Sequence, residues 1–503
     1  MVDKFDSTLD NPADGPAKPD DKEQIEIEEV GTTVNLDTDS DTDVEIIEDG
    51  SAIVGQEDAL PTVGFTSNLA EVLDESFMQS LSSELVEKIE ADKSSREDWE
   101  QGYTKGLDLL GFKYEERTRP FRGASSVNHP MLAQAVTQFQ AMSYVELLPA
   151  DGPVRTQVVG ANSTQLQQAA ERVKDYMNYE ITHVMEEYNP EMDQLLFQLP
   201  SSGSAFKKIY FDNTLDRICS KFVPAEDFVI SMENTDLETA DRYTQVMKLT
   251  RNDIKKHQVT GYYKDIPLTK AEGGGDSNSG DMVEQTLQRL EGMTPSMADK
   301  IHTVLEIHCN LDLGEDKNEL ELPYIVTIDY DSQRVLSIRR NWKEDDTLKR
   351  KRTYFVHYKY LPGLGFYGFG LIQMIGGLQH ASTGALRALL DSAAFANLNG
   401  GFRAKGARIE GGDITVSPGE WVEVEAYGDD LRKSFIPLPF KEPSPTLLQL
   451  LGVLTESGRR FASIADAMIG DSAASGPVGT TIALIEQGSK VFSAIHKRIH
   501  QAQ

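Results

Sequence analysis

Cysteine is scarce: Cys219 and Cys309 are the only two in 503 residues. Two thiols cannot build a disulfide framework, and such a chain fits a reducing compartment. Long hydrophobic runs are missing as well. The most apolar stretch, Leu371–Leu390, is interrupted by Gln373, Gln379, His380 and Arg387, short of the roughly 18 uninterrupted apolar residues of a membrane span. The opening MVDKFDSTLD is acidic and has no apolar core, so no secretory signal is read there. The expectation is a chain that is soluble and intracellular when made, with no membrane partner.

Basic residues are the third shortage. Lys and Arg number 49 against 81 Asp and Glu, for a net charge of -32. The balance argues against a basic cleft wrapped around phosphate. The charge is uneven, because residues 1–60 hold 19 acids against three lysines, Lys4, Lys18 and Lys22, half of the total. That segment has a single aromatic, Phe5, and too little apolar surface to offset the entropy of ordering. Residues 1–65 are therefore read as a disordered acidic tail.

Catalytic signatures are the fourth absence. Gly363-Leu-Gly365-Phe-Tyr-Gly368 matches G-x-G-x-x-G between a predicted strand and a predicted helix. A dinucleotide site also needs a parallel βαβ unit and an acid about 20 residues on, at the end of its second strand. Asp391 falls inside the predicted helix instead, so the glycines are read as a strand-to-helix corner. An enzyme using that corner stays as the alternative reading. Gly476-Pro-Val-Gly479-Thr480-Thr481 lacks the P-loop lysine and follows a helix where that motif needs a strand. His496 and His500, spaced i, i+4 in "HKRIH", have no further ligands beside them and are read as exposed histidines near a helix end. The basic run "LKRKR" at 348–352 is read as a solvated face. No catalytic residue, cofactor or metal is assigned.

What remains is architecture. Apolar spacing predicts helices over Asn68–Ile89, Ser95–Leu110 with Gly111 as the stop, His129–Leu148, Gln165–Tyr188 and Pro190–Leu199. The period then changes to two. Ala205–Phe211 and Arg217–Val223 read as a hairpin, and Thr303–Leu313, Pro323–Tyr330, Arg334–Arg340 and Thr353–Tyr360 as strands, three of them one antiparallel meander. "GGGDSNSG" at 273–280 is a loop. A long helix rich in small residues follows over Leu371–Leu398, then a short β-rich insert. A second helix opens with Ser444 as N-cap and Pro445 in its first turn. After the glycine-rich stretch 471–480, a last helix still runs at Gln503, where a C-terminal continuation is expected. The fold class is α+β.

This order of parts resembles the portal, or head-to-tail connector, proteins of tailed bacteriophages, nearest to those of short-tailed phages. The likeness is carried by "NHPMLAQAVTQFQAMSYVELLPADGPVRTQV", "SSGSAFKKIYFD", "SKFVPAEDFVIS", "TDLETADRYTQVMKLTRNDIKK" and "GPVGTTIALIEQGSK". It implies a wing body over 66–370, a first stem helix over 371–398 and a β-rich clip over 399–440. A second stem helix over 441–470, a tunnel loop over 471–480 and the start of a long wing helix over 481–503 complete it. It further implies a homo-oligomeric ring of about twelve subunits at one vertex of the virion, assembled in the host cytoplasm. The implied partners are double-stranded DNA without sequence preference, the terminase large subunit, major capsid and scaffolding proteins, and tail adaptors. A virion connector that conducts no DNA is the other structural alternative.

By matching position, the resemblance assigns Asp471, Ser472, Ser475, Gly476, Pro477, Gly479 and Thr480 to a DNA-contacting loop. Arg459, Arg460 and Lys490 are channel cations, and Arg403, Lys405, Arg408, Arg432 and Lys433 dock partners at the clip. Gly376, Gly377, Ala381, Gly384 and Ala388 are expected to let neighbouring stem helices approach closely.

Overall fold

The computed structural model describes residues 43–46, 52–55, 64–111, 116–119, 124–149, 151–160, 163–212, 215–267, 282–291, 301–314, 320–397, 401–403, 435–437, 443–461 and 493–503. Two compact units are present, Met1–Ala59 and Leu60–Gln503. In the first, within the segment read as a disordered tail, β1 (Asp43–Ile46) and β2 (Ala52–Gly55) pair antiparallel. The loop at 273–280 lies outside the described residues.

The second unit mixes helices with antiparallel sheets, an α+β architecture. Helix α1 (Glu75–Ser95) starts at Asp74, whose carboxylate accepts from the Ser76 amide at 3.1 Å. A 3-10 turn, Leu69–Glu71, and the linker after it take the first residues that the periodicity placed in one helix. Helix α2 (Glu97–Leu110) ends where expected, with Gly111 in the left-handed conformation. Helix α3 (Met131–Leu147) follows Pro130. The predicted helix 165–188 divides. Helix α4 (Thr164–Tyr179) passes into a π-helical turn, Glu180–Val184, and α5 (Tyr188–Ser202) begins anew.

Strands β3 (Ser204–Asp212) and β4 (Arg217–Val223) form the expected hairpin, and β10 (Phe355–Lys359) joins β3 to make a three-stranded sheet. The larger sheet runs in order β5 (Phe228–Val229), β6 (Arg242–Thr250), β7 (Ile301–Leu311), β8 (Leu322–Asp329), β9 (Arg334–Arg340), antiparallel throughout. The last three strands are the predicted meander. Sequence reading missed β5, β6 and helices α6 (Arg251–Val259) and α7 (Met282–Glu291).

Period two sorts β7 into two chemistries. Leu305, Ile307 and Cys309 face α1 and pack with Met78, Leu81, Leu85 and Ile89 in one core. The intervening positions carry Glu306 and His308, both buried. Lys208 Nζ lies 2.6 and 2.7 Å from the two Glu306 oxygens, and His308 Nε2 lies 3.0 Å from Oε1. Burial pushes the Glu306 carboxyl up in pKa, but Lys208 and His308 outweigh it and bring it to about 2.

Arg96, between α1 and α2, has a completely buried side chain. Its guanidinium donates to the carbonyls of Ala225, Glu226 and Phe228 and to the Tyr367 hydroxyl at 2.7–3.1 Å, and pairs with Glu100 at 2.6 Å. One cation thus ties the helical layer to the chain entering the large sheet.

The glycine-rich corner is a place where backbones touch. A Cβ at Gly370 would stand 2.6 Å from the Ser201 carbonyl oxygen and 2.7 Å from that of Pro200. Gly203, at the facing α5–β3 junction, has φ +81°. The Gly368 amide donates to Ser204 Oγ at 2.8 Å. Because β10 pairs antiparallel with β3, no parallel βαβ unit surrounds the motif among the described residues, and the dinucleotide reading fails on topology.

Candidate functional site

Helix α8 (Leu371–Asn397) leaves the glycine corner and is the longest helix described. Its first turns bury Leu371, Ile372 and Ile375 among α2, α3 and α5. Two of the polar residues that interrupt its apolar run, Gln379 and Arg387, have a structural use. Gln379, Thr383, Arg387 and Asp391, spaced i, i+4, line up along one face. The Leu132 amide donates to Gln379 Oε1 at 3.3 Å and the His129 amide to Thr383 Oγ1 at 3.1 Å. Arg387 Nε donates to the Val127 carbonyl at 2.8 Å, and the Ser125 amide to Asp391 Oδ1 at 2.7 Å. Residues 125–132 are held to α8 as though paired to an edge strand.

A different face carries the small residues. Gly377, Ala381, Gly384 and Ala388 are exposed, and nothing lies within 4 Å of a Cβ built at Gly377 or Gly384. Gly376 does not belong with them: it is buried, and a Cβ there would meet Leu109 of the chain's own α2 at 3.5 Å. Four of the five residues grouped by sequence thus share an open surface, and the fifth packs inward.

Helix α9 (Pro445–Phe461) packs on α8. Ser444 precedes it as expected, its carbonyl accepting the Leu447 amide at 3.1 Å. A Cβ at Gly458 would run into the Met131 thioether, so the approach of α9 to α3 at this point needs a glycine. Elsewhere α9 shows solvent an apolar surface, with Leu448 and Val453 63% exposed and Leu450 49%. Leu448, Leu450 and Val453, spaced i, i+2 and i+5, have no cover among the described residues.

With two long helices packed side by side above an α+β body, and an insert between them that starts and ends in a pairing of β11 (Gly401–Arg403) with β12 (Phe435–Pro437), sequence comparison becomes decisive. The family model of the phage SU10 portal protein matches residues 134–468, about two thirds of the chain. The chain belongs to the phage SU10 portal protein family. SU10 is a short-tailed phage, as the resemblance implied. No curated protein matches. Portal proteins are virion components of the head–tail connector that serve DNA packaging, with structural rather than catalytic roles.

Within the portal frame, the assigned residues fall unevenly. Arg460 is exposed and pairs with Glu456 one turn earlier at 2.9 Å. Arg459 is half-buried near His129, whose pKa is lowered by burial and by that charge. The backbone of Arg403 lies in β11. Lys405, Arg408, Arg432 and Lys433 lie outside the described residues, as do Lys490 and the whole loop from Asp471 through Ser472, Ser475, Gly476, Pro477 and Gly479 to Thr480.

Two sequence expectations are corrected elsewhere on the portal body. His500 is exposed, but His496 is buried. Residues 493–502 are helical and lie on α3, where His496 Nε2 is 2.8 Å from Ser143 Oγ and Nδ1 is 2.6 Å from Glu146 Oε2. A serine, an imidazole and a carboxylate in that order form the arrangement of a hydrolase. Ser143, however, is wholly buried in the C-terminal part of α3, where a substrate has no access to its hydroxyl. The trio is a strut. The "LKRKR" run is not merely solvated: Lys351 Nζ donates to the Ala240 and Leu237 carbonyls at 2.8 and 3.1 Å, and Arg352 lies over the Tyr354 ring.

Among the described residues, no helix is long and apolar enough to cross a membrane.

Proposed function

We propose that copies of this chain close into a ring of about twelve subunits at one capsid vertex. Double-stranded DNA is packaged through its channel by a terminase and later leaves by the same path, and tail proteins dock at its outer end. The observation that carries this reading is the pair of uncovered helix faces. Gly377, Ala381, Gly384 and Ala388 on α8 and Leu448, Leu450 and Val453 on α9 find no cover among the described residues. A heterologous contact repeated around a closed ring would cover them in every copy.

The charge supports passage rather than capture. A duplex must slide both ways, and cation–phosphate contacts that release counterions would act as a brake. A chain of net charge -32, with Arg460 already paired to Glu456, offers few strong contacts. DNA is touched at its backbone and not read. In this proposal the loop 471–480 forms the collar around the duplex. Its Gly476 and Gly479 give freedom and Pro477 blocks helix continuation.

Mass photometry of the purified chain should show one species near twelve subunits, and a monomer or dimer would overturn the ring. Replacing residues 475–479 with a rigid, bulky segment should leave rings and procapsids intact yet reduce DNA filling or retention. Heads that fill and hold a full genome would remove the loop's role.

The clip is proposed as the docking surface for terminase and then for tail adaptors, through Arg403, Lys405, Arg408, Arg432 and Lys433. Arg403→Glu together with Arg408→Glu should weaken terminase binding about tenfold or more, since opposed rim charges chiefly slow association. Unchanged binding and head filling would place docking elsewhere.

A further inference from the structure

The strongest unassigned feature lies in the large sheet, away from the stem helices. His302 is the second residue of β7, Asp329 the last of β8, and Asp331 sits in the turn to β9. One ligand atom from each lies within 4.8 Å of the others. His302 and Asp329 are 2% and 1% exposed, and Asp331 is exposed. Neither His302 Nδ1 nor Asp329 Oδ1 makes a hydrogen bond, although both atoms are fully buried. Two buried polar atoms that face one another without bonding are unusual, since such groups are normally satisfied.

The surroundings hold these atoms in place. Asp329 Oδ2 accepts the Ser332 amide at 3.3 Å and the Ser332 hydroxyl at 2.5 Å, which leaves Oδ1 turned to the imidazole. The Tyr330 amide donates to the Thr303 carbonyl at 2.9 Å and pins the turn beside His302. Outer contacts of this kind orient ligands in metal centres. His302 Nδ1 and Asp329 Oδ1 are 3.5 Å apart. Two ligands each about 2.1 Å from one ion and near the tetrahedral angle would have that separation.

We propose that His302, Asp329 and Asp331 bind one divalent transition-metal cation of the zinc class. One imidazole nitrogen with two carboxylates suits zinc or manganese, whereas calcium and magnesium prefer oxygen alone. Asp331, at the surface, gives the ion its entry and water can complete the shell. The ion clamps the start of β7 to the β8–β9 turn and has no part in chemistry.

The test uses the full chain without an affinity tag, stripped with EDTA and then given zinc chloride alone. The wild type should retain about one zinc per subunit after desalting and show a Tm higher by a few degrees, reversed by EDTA. Asp331→Asn, at an exposed position, should keep the metal-free Tm. It should bind zinc more weakly by at least the roughly 10–100-fold lost when an outer contact is removed. His500→Ala, which removes an exposed histidine, should change nothing. A wild type that retains no zinc overturns the proposal and leaves a histidine–aspartate ion pair, and so does zinc binding that survives Asp331→Asn undiminished.

Discussion

Gly384→Leu should give a subunit that folds normally and forms no ring, or rings of the wrong size, and Ala381→Leu should do the same. In the single chain a Cβ at Gly384 meets nothing within 4 Å, and Ala381 is exposed. The leucine therefore strains nothing inside the subunit, and it replaces a residue that disfavours helix by about 1 kcal/mol in the glycine case. In the proposed ring the same side chain would meet a neighbour. Overpacking costs about 1–3 kcal/mol at each contact and recurs at every interface of the closed circle. Circular dichroism and thermal melting check the subunit, and mass photometry with negative-stain microscopy checks the ring. Gly376→Leu is the contrasting variant, because Gly376 packs on Leu109 of its own body; it should lower the Tm of the subunit itself. Normal rings from both Gly384→Leu and Ala381→Leu would mean that this face of α8 meets no neighbour.

Glu306→Gln should destabilise the body by about 3–5 kcal/mol at neutral pH, the range for removing one partner of a buried ion pair. It leaves the Lys208 ammonium with Gln245 Oε1 at 3.0 Å as an acceptor but without its counter-charge. The pH dependence follows from the lowered carboxyl. The folded value of about 2 lies below the ordinary 4.5, so the ionised group stabilises the fold fully above the ordinary value. That contribution is lost as pH falls from about 4.5 toward 2. Melting curves from pH 7 to pH 3 should show the gap between wild type and variant narrowing on the acid side. A gap that is small at neutral pH, or constant down to pH 3, would show that the pair does not carry this part of the fold.

Much of the architecture was legible because its signals are local. Helix α1 buries Leu81, Leu85 and Ile89 at four-residue spacing, the β3–β4 hairpin alternates around a turn, and Gly111 and Pro445 punctuate helices where they should. What was missed is weakly patterned. Strand β5 has two residues, and α6, RNDIKKHQV, buries only Ile254 and Gln258, too little to raise a helical period. His496 was misread because its partners, Ser143 and Glu146, stand some 350 residues earlier in the chain. Nothing adjacent in sequence reports that contact. The same holds for the four-residue spacing on α8, which reads only as a flaw in an apolar helix until residues 125–132 are laid beside it. The outward small face was visible as composition, but which glycines belonged to it required the neighbours.

That side-by-side attachment of 125–132 to α8 has a mechanical consequence. The bonds at Gln379, Thr383, Arg387 and Asp391 join two stretches of chain that run alongside each other over about three helical turns. A pull along the helix axis loads all of them together, in shear, whereas a pull at one end of a peeling contact would break them in succession. The buried Leu371, Ile372 and Ile375 anchor one end of the helix in the body. Helix α8 is thus braced along its length: a load on it is shared by these four contacts and by the buried end.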